Sequence, residues 1–344
     1  MSKAKILIIY TGGTFGMSLD HSRRGDRLSV PDLSPQILKK NFSRRVPELE
    51  QIAHCDVDVL MNCDSAHIGP QDWCKIAQKI RTSWKKYDGI VVLHGTDTLA
   101  YTASALSFLL KPCLKPVILT GAQRPLTALR SDARRNLVSA VEIASSGPGF
   151  IANRVSVFFD DKLFQGNRVH KQSATEYHAF ESPHAEPLAV VGTEIRYHHP
   201  ERPSRKKVRK PVHLAPCFNS KVALIHVTPG FPAEIFSKHL LPQLEGIVLN
   251  VFPSGTAPTH DEKFLEMLRT ARKRSIPVVV VTEAGVRVNP AAYEAGRALM
   301  AEGCTWAGDL TTECSFVKTA LILGQKEGKK RFSQLWDMQF ADEG

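Results

Sequence analysis

The stretch KILIIYTGGTFG, residues 5–16, joins a continuous apolar run to a turn with paired glycines. A short apolar run that ends in a glycine turn is typical of a strand buried on both faces, as in a parallel sheet. Further runs of this kind are DVDVLM, GIVVLH, PVILTG and VSVFFD, at residues 56–61, 89–94, 116–121 and 155–160. Together these runs predict a buried, mostly parallel sheet in the first half of the chain.

Helical patterns separate these runs. Apolar residues between the second and third runs keep helical spacing along one face: Trp73, Ile76, Ala77, Ile80 and Trp84. Ser131 is predicted to cap a helix that runs to about Ala144. Alternation of strand and helix implies an α/β fold with a doubly wound sheet.

The alternation lapses between Arg196 and Pro216, where proline, histidine and basic residues show no apolar period. It resumes with apolar runs at residues 222–227, 246–252 and 277–282. At 344 residues the chain is long enough for two domains. We therefore predict a larger N-terminal domain, a basic proline-rich linker and a smaller C-terminal α/β domain, at residues 1–195, 196–216 and 217–344.

Helix starts in the second half carry recognisable signals. Helices are predicted to follow Phe231, Thr259 and Asn289. Thr259 with Glu262 has the spacing of a capping box, and Asn289 precedes a proline at a helix start. Gly303 supplies the matching stop signal for the last of these helices.

The composition is that of a soluble globular protein, with 43% hydrophobic and 23% charged residues. The longest apolar runs are far shorter than the roughly 20 residues of a membrane span, so no membrane partner is expected. The N-terminal apolar run leads into a glycine turn, which predicts no signal peptide. Seven cysteines with no C-x-x-C spacing and no nearby histidine pattern predict reduced, mostly buried thiols in the cytoplasm and no bound metal. No cofactor is expected.

The net charge of +11 would favour nucleic-acid binding only if the basic residues clustered on one face. The one dense run is RKKVRK, residues 205–210, which lies between two prolines. We interpret it as a solvated linker and expect no nucleic-acid partner.

Three predicted strands end in turns that carry small polar residues. These turns are TGGTFG, HGTDT and TGAQRP, at residues 11–16, 94–98 and 120–125. Each has a structural alternative: a plain phosphate-binding turn for the first, and an N-cap at Thr96 or Asp97 for the second. The carboxyl ends of parallel strands meet at one edge of the sheet, where ligands bind. Three such turns therefore indicate a shared site more readily than three separate caps.

These motifs identify a family. TGGTFG, DSAHIGPQDW, LHGTDTLAYTASALSFLL, PVILTGAQRP and the later GNRVHK resemble the bacterial L-asparaginases, most closely their cytoplasmic type. The similarity spans nearly the whole chain and is densest from Lys5 to about Lys171. The resemblance implies hydrolysis of L-asparagine to L-aspartate and ammonia through a threonine nucleophile and an acyl-enzyme intermediate.

The resemblance also implies roles for single residues. Thr14 resembles the nucleophile, while Thr96, Asp97 and Lys171 resemble a second triad in which the lysine activates a threonine hydroxyl. We expect the side chains of both threonines to face solvent in the crevice. Ser65 matches the position that holds the substrate α-carboxylate, and Asp97 would also pair with the α-ammonium group.

Gly95 and Ala122 complete the predicted substrate contacts. The backbone N–H groups near Thr96 and Ala122 are the candidate donors for the oxyanion of a tetrahedral intermediate. Backbone donors of this kind fit turns made of small residues, because a small side chain lets a ligand approach the main chain closely.

The chain departs from the family pattern at three places. The segment after Gly16 commonly supplies a tyrosine that closes on the site, and residues 18–30 contain none, which leaves Arg27 as one candidate for closure. Ala66 stands where related enzymes have a polar residue that assists the α-ammonium contact. Thr256 stands where an asparagine usually completes the site of a neighbouring subunit.

Two other functions stay open. One is an asparaginase-like subunit of a tRNA-dependent amidotransferase, and the other is a non-catalytic amino-acid sensor on the same fold. The joint presence of Thr14, Thr96, Asp97 and Lys171 favours an enzyme over a sensor.

The resemblance further implies a homo-oligomer, either a dimer or a tetramer, and weak activity on glutamine. Apolar residues around the turns and helix starts of the second domain give weaker support for an interface: Phe231, Phe252 and Phe264. We expect these aromatic side chains to be exposed on a single copy of the chain.

Overall fold

The computed structural model describes residues 3–20, 27–29, 34–147, 149–152, 154–198, 214–282 and 289–341. These residues belong to two compact units, Met1–Arg202 and Pro203–Gly344. The basic run at residues 205–210 and the side chain of Arg27 lie outside the described part. The linker boundaries therefore stay a prediction, although the strand at Ile195–Tyr197 continues the first sheet two residues past position 195.

The first unit is built on an eight-stranded sheet in the order β12-β11-β8-β7-β6-β5-β1-β4. Strands β4, β1, β5, β6 and β7 are parallel, and β8, β11 and β12 extend the sheet in antiparallel fashion. This arrangement confirms the predicted mostly parallel sheet. The strands of the unit are β1 Lys5–Gly12, β2 Ser18–Asp20, β3 Arg27–Ser29, β4 His54–Cys63, β5 Gly89–Leu93, β6 Val117–Thr120, β7 Val155–Phe159, β8 Lys162–Gln165, β9 His170–Lys171, β10 Phe180–Glu181, β11 Ala189–Val191 and β12 Ile195–Tyr197.

Helices cover this sheet, and the apolar face predicted for residues 73–84 is confirmed. Trp73, Ile76, Ala77 and Ile80 are all buried, and Trp84 lies just past the helix end. The α-helices of the unit are α1 Pro35–Arg45, α2 Glu48–Ile52, α3 Pro70–Ser83, α4 Leu99–Leu109, α5 Ala133–Ser146 and α6 Gly149–Ala152. Short 3₁₀ turns occupy Thr14–Gly16, Ser65–His67 and Gly166–Arg168.

The start of α5 differs slightly from the prediction that Ser131 caps it. Asp132 is the N-cap residue and makes no side-chain cap bond. The Ser131 hydroxyl instead accepts a hydrogen bond from the backbone N–H of Ala133 at 3.1 Å. Asp132 is unavailable as a cap because its carboxylate accepts from the loop before the helix.

The second unit has a smaller four-stranded parallel sheet in the order β13-β14-β15-β16, which confirms the predicted C-terminal α/β domain. Its strands are β13 Val222–His226, β14 Gly246–Val251, β15 Val278–Thr282 and β16 Thr305–Trp306. Its α-helices are α7 Ala233–Ile235, α8 Glu262–Lys273, α9 Glu294–Ala301, α10 Thr312–Leu323 and α11 Phe332–Trp336. A π-helical turn at Phe236–Leu240 and 3₁₀ turns at Leu241–Gln243 and Pro290–Ala292 complete it.

The predicted capping box at the start of α8 is wrong. Helix α8 begins at Glu262, so Glu262 is the first helical residue rather than the third. Asp261 is the N-cap, and its carboxylate accepts from the backbone N–H of Lys263 at 2.9 Å. Asn289 does act as a cap, accepting from Ala291 N–H at 3.0 Å, but for the short 3₁₀ turn that precedes α9.

Of the three aromatic residues expected to be exposed on the second unit, one belongs to its core and two are partly buried against that core. Phe264 is fully buried, and Phe231 packs on it with ring centroids 5.9 Å apart. Phe252 packs against the same cluster. The sheet of this unit is small, so residues at strand ends and helix starts are needed to fill its core.

The cysteines are all free, as predicted, but most are not fully buried. Only Cys113 and Cys314 are buried, and Cys217 is exposed. Within the described residues, no three His, Cys, Asp or Glu side chains lie together as a metal-binding group. In the same part of the chain, no helix has the length and apolar character needed to cross a membrane.

Candidate active site

The sheet register brings the three polar turns to one edge. Tyr10 of β1 pairs with Leu93 of β5, and Leu93 pairs with Thr120 of β6. The three strands are parallel and therefore end side by side. The turns that follow Gly12, Leu93 and Thr120 consequently leave the sheet at the same edge, as the sequence predicted.

Backbone contact between two glycines joins the first turn to the second. Gly13 has φ 82°, and a Cβ on Gly13 would lie 2.4 Å from the Cα of Gly95. Neither position therefore accommodates a side chain. A Cβ on Gly95 would in turn lie 2.7 Å from the Ser65 hydroxyl oxygen, so Ser65 lies directly over Gly95. Thr14 follows Gly13 at the start of a 3₁₀ turn and is half-buried.

The third turn is tied to the first two by backbone hydrogen bonds. The N–H of His94 donates to the carbonyl of Thr120 at 2.9 Å, and the N–H of Leu126 donates to the carbonyl of Phe15 at 3.2 Å. The Thr98 hydroxyl ties a further loop to the site by donating to the carbonyl of Ser65 at 2.7 Å. These bonds fix the relative positions of the loops that carry the predicted site residues.

Lys171 meets both Thr96 and Asp97. Its side-chain nitrogen lies 2.8 Å from the Thr96 hydroxyl oxygen and 2.6 Å from Asp97 Oδ1. The Lys171 side chain is 15% exposed, whereas the Asp97 carboxylate is 67% exposed. Helix α4 has Thr98 as its N-cap, without a side-chain cap bond. Thr96 and Asp97 are therefore not helix caps.

Thr96 is more enclosed than the sequence suggested. Both Thr14 and Thr96 were expected to face solvent, but Thr96 is only 8% exposed. Its hydroxyl donates to Gln123 Oε1 at 3.3 Å and also receives the Lys171 contact. The two longer side chains cover the threonine, which explains the difference.

Gln123 is a site residue that sequence reasoning did not single out. Its Nε2 donates to the carbonyls of Ser173 at 3.5 Å and Glu176 at 3.0 Å. Because both donor contacts use the amide nitrogen, the amide oxygen must face Thr96. The only available sequence signal was the polar side chain directly after Gly121 and Ala122, where a buried strand ends.

Asp132 holds the Gln123 backbone in place. Its carboxylate accepts from the N–H groups of Gln123 at 2.9 Å and Arg124 at 3.0 Å. The Asn136 amide donates to the same carboxylate at 3.2 Å and to the carbonyl of Gly121 at 3.1 Å. Burial raises the pKa of the Asp132 carboxyl, and the two backbone N–H groups partly oppose this rise.

His94 is fully buried behind the second turn. Its Nδ1 lies 2.7 Å from the carbonyl oxygen of Gly95, and its Nε2 lies 3.0 Å from the Thr102 hydroxyl. Burial lowers the pKa of His94 from 6.5 to about 4, and the contact with Gly95 opposes this shift only partly. The imidazole is therefore neutral at physiological pH.

Two backbone N–H groups, those of Thr96 and Ala122, are candidates for contact with a ligand. Among the hydrogen bonds of the described residues, none uses the N–H of Thr96 or of Ala122 as donor. The hydroxyl of Thr14 likewise makes no hydrogen bond within that part of the chain. Unpaired donors around a buried polar turn are costly unless a ligand or water meets them.

Ala66 and Thr256, two of the departures from the family pattern, lie in the described part of the chain. Ala66 is exposed, and its N–H donates to Asp64 Oδ1 at 2.9 Å. Thr256 is half-buried in the second unit, where its carbonyl accepts from Phe252 N–H at 3.0 Å. Within residues 18–30, only the backbone strands β2 and β3 are described.

Several known proteins are similar to this chain. "L-asparaginase 1" of Escherichia coli (strain K12) is 36% identical over 331 residues, which cover 95% of this chain and 94% of that protein. A glutamyl-tRNA(Gln) amidotransferase component from Methanobrevibacter smithii is 31% identical over 99% of this chain and 77% of its own length. The Homo sapiens "60 kDa lysophospholipase" is 34% identical over 93% of this chain and 58% of its own length.

A solved structure and two family models agree with these relatives. The thermostable L-asparaginase from Thermococcus kodakarensis superposes with a TM-score of 0.85, at 31% identity and 98% coverage of both chains. The model "Asparaginase, N-terminal" matches residues 5–203, and "Glutaminase/Asparaginase C-terminal domain" matches residues 221–335. The resemblance to bacterial L-asparaginases is thereby confirmed. The chain belongs to the asparaginase family and is an amidohydrolase.

Proposed function

We propose that this protein hydrolyses L-asparagine to L-aspartate and ammonia, with Thr14 as the nucleophile. The observation that carries the proposal is the contact of Lys171 with Thr96 and Asp97, at 2.8 and 2.6 Å. This group adjoins Gly95, whose backbone touches that of Gly13, the residue before Thr14. A nucleophile and a proton acceptor on touching loops are what amide hydrolysis requires.

In the proposed reaction, the Thr14 hydroxyl oxygen attacks the side-chain amide carbon of asparagine. With the Lys171 amine in its neutral form, its nitrogen accepts the hydroxyl proton by way of Thr96, a contribution typically worth about 10²–10⁴-fold in rate. The carbonyl oxygen becomes an oxyanion that the N–H groups of Thr96 and Ala122 stabilise. Collapse of this intermediate releases ammonia with the stored proton and leaves an ester on Thr14. Water then attacks the ester carbon, which releases L-aspartate and restores the hydroxyl.

Recognition of an amino acid rather than a simple amide is assigned to Ser65 and Asp97. Ser65 lies over Gly95 and would hold the substrate α-carboxylate. Asp97 is largely exposed beyond its contact with Lys171, so its carboxylate is accessible to a ligand. A carboxylate in this place favours the α-ammonium group of the substrate.

Location and assembly follow from the same proposal. We place the protein in the cytoplasm, which is supported by the odd number of cysteines without paired spacing. We also propose a homo-oligomer, either a dimer or a tetramer, in which Thr256 faces the site of a neighbouring subunit. No metal or cofactor takes part in the proposed chemistry.

A second candidate is release of ammonia as part of a tRNA-dependent amidotransferase. It is supported by the 31% identity to the Methanobrevibacter smithii amidotransferase component over nearly the whole chain. An ammonia-releasing component and a free asparaginase share the same chemistry at Thr14. The two differ in whether the protein alone turns over free asparagine at a physiological rate.

The test is an ammonia assay on the purified protein with L-asparagine, L-glutamine and acetamide as separate substrates, beside a fatty-acid release assay with a lysophospholipid. The proposal expects rapid release from asparagine, slow release from glutamine and no reaction with the other two. Because one methylene in a pocket is worth about 1–3 kcal/mol, the preference over glutamine in kcat/KM should be about 10- to 200-fold. Equal kcat/KM for both amino acids would contradict the assignment of Ser65 and Asp97. Activity restricted to the lysophospholipid would overturn the proposed function.

A further inference from the structure

The peptide bond between Gly95 and Thr96 has one edge in the proposed site and one edge against His94. Its N–H belongs to Thr96 and is a proposed oxyanion donor. Its carbonyl belongs to Gly95 and lies 2.7 Å from His94 Nδ1. A peptide unit is planar, and its carbonyl and N–H point to opposite sides. Fixing the direction of the carbonyl therefore fixes the direction of the N–H.

The chemistry of the three partners determines which nitrogen of His94 carries the proton. A carbonyl oxygen only accepts, so the 2.7 Å contact requires a proton on Nδ1. Since the buried imidazole is neutral, Nε2 is then an acceptor. The Thr102 hydroxyl, 3.0 Å away and fully buried on α4, must donate to it. The carbonyl of Gly95 thus sets the tautomer of His94, and Thr102 satisfies the Nε2 atom that this tautomer leaves as an acceptor.

His94 is also held through its backbone. Its N–H donates to the carbonyl of Thr120 at 2.9 Å, and a Cβ on Gly121 would lie 2.4 Å from the His94 carbonyl oxygen. The side chain has no exposed surface. A ring fixed at its backbone and at both nitrogens is a rigid support for the peptide that it contacts.

We propose that His94 is a positioning residue for the oxyanion site, acting with Thr102 to aim the Thr96 N–H at the developing negative charge. The proposal rests on the function assigned above. His94 lies behind the peptide unit and does not touch the substrate. Its hydrogen bond to Gly95 also polarises that peptide, which strengthens the N–H as a donor.

The expected signature is a loss of kcat with little change in KM. Removing one oxyanion donor typically costs about 10²–10³-fold in kcat, and misdirecting a donor should cost less, about 10- to 100-fold. His94→Phe keeps a planar ring without the hydrogen bonds. Thr102→Val keeps the side-chain volume and removes the donor to Nε2, whereas Thr102→Ser keeps a hydroxyl and should restore most of the activity.

Ser107→Ala is the matched control on the same helix. Ser107 is buried on α4, and its hydroxyl donates to the carbonyl of Ala103 at 2.7 Å. The substitution removes a buried hydroxyl but leaves the contacts of His94 unchanged. The kcat of Ser107→Ala should therefore match that of the wild type. Thermal unfolding of each variant identifies any change that acts through folding alone.

The tautomer is read separately from activity, by long-range ¹H–¹⁵N correlation spectra of the imidazole nitrogens. We expect the Nδ1–H form in the wild type, Thr102→Ser and Thr102→Val, because all three keep the carbonyl of Gly95, and a shifted Nε2 signal in Thr102→Val, where this atom has lost its donor. An Nε2–H tautomer in the wild type would overturn the proposal. The proposal would also be overturned if His94→Phe and Thr102→Val fold and each has a kcat within twofold of that of Ser107→Ala. A wild type that releases no ammonia from asparagine or glutamine would instead overturn the proposed function, while the spectra would still test the contacts of His94.

Discussion

The side-chain nitrogen of Lys171 lies 2.8 Å from the hydroxyl oxygen of Thr96, although 75 positions separate the two residues in the chain. Two short elements produce this contact. Lys171 ends the two-residue strand β9, which pairs with β10, and Thr96 lies in the turn after β5. A lysine held against a threonine hydroxyl is the arrangement expected of a proton acceptor next to a nucleophilic site.

The first prediction concerns the proposed catalytic groups. Thr14→Ala, Thr96→Val and Lys171→Met should each lower kcat by about 10²–10⁴-fold, because each removes a group that takes part in proton transfer or attack. Valine is chosen at position 96 because this side chain is buried and its volume must be kept. Steady-state ammonia release is the measurement.

The matched controls for these variants are Thr82→Ala and Lys85→Met. Both residues are exposed at or just after the end of α3, which leads into the start of β5, whereas the turn at His94 follows the other end of that strand. Both controls should keep wild-type kcat. A Thr14 or Thr96 variant that retained more than a few per cent of wild-type kcat would not have the role proposed for it.

The second prediction concerns Gln123, which joins Thr96 to the turn after Lys171 through its amide group. Gln123→Ala removes one hydrogen bond to Thr96 and two to backbone carbonyls. A net hydrogen bond is worth about 0.5–1.5 kcal/mol, so kcat should fall about 10-fold, while KM should change little. Ammonia assays over a range of asparagine concentrations separate the two constants.

Gln172 provides the control for Gln123. It is exposed in the same turn, and its amide donates to the carbonyl of His178 at 3.3 Å without contacting Thr96. Gln172→Ala should leave kcat near the wild-type value. Equal losses of kcat in Gln123→Ala and Gln172→Ala would mean that disruption of the turn, rather than loss of the Thr96 contact, lowers kcat.

Much of this site was readable from the sequence, and the reasons for the exceptions are physical. Three buried strands that end in polar turns predicted the shared edge of the sheet, because strand pattern is a local property. The role of Lys171 came from the resemblance alone, since a basic residue in a short strand has no local signal for a partner 75 positions away. Gln123 and the pair His94–Thr102 escaped notice for the same reason, because side-chain hydrogen bonds between turns depend on tertiary structure.

The prediction that aromatic residues of the second unit form an exposed surface was wrong. Phe264 was expected to be exposed because it lies near a helix start, yet it is fully buried. Burial depends on which face of α8 meets the sheet, and Phe264, Met267, Leu268 and Ala271 together form that face. Helical spacing therefore predicts burial of a side chain better than the position of the residue near the start of a helix.

The third prediction concerns stability in acid. The pKa of His94 is lowered to about 4 in the folded protein, whereas an unfolded histidine titrates near 6.5. Between these two values the unfolded state binds a proton that the folded state does not. Stability is therefore complete above about pH 6.5 and falls as the pH is lowered towards 4, by on the order of 3 kcal/mol for this group.

Urea unfolding at a series of pH values between 7 and 4 measures this dependence. The comparison is between the wild type and His94→Phe, since other groups titrate equally in both. The difference in unfolding free energy should change steadily between pH 6.5 and 4. His67→Gln, which removes an exposed histidine, is the matched control variant. Parallel curves for the wild type and His94→Phe would show that His94 is not held neutral by the fold.

The fourth prediction is that full activity requires a homo-oligomer. Phe231, Phe252 and Phe264 pack in or against the core of the second unit and therefore do not support an interface. Leu129 supports an interface instead, because it lies in the loop that follows Gln123 and is 99% exposed. Single exposed leucines occur on monomers, but one this exposed in the loop that follows Gln123 is a reasonable anchor for a second copy. Obligate interfaces bury roughly 2,000 Å² or more and should survive dilution.

Light scattering coupled to size exclusion, run beside the ammonia assay over a dilution series, measures assembly and activity together. Leu129→Asp should weaken association, because it places a charge at a contact that becomes apolar when two copies meet. Leu114→Asp is the control, since Leu114 is also exposed but lies in the loop between α4 and β6, away from the three turns. If Leu129→Asp dissociates the protein, kcat should fall with it, because Thr256 of a neighbouring subunit would no longer reach the site. A stable 38.1 kDa monomer with undiminished kcat would refute the shared site and remove any role for Thr256 in catalysis.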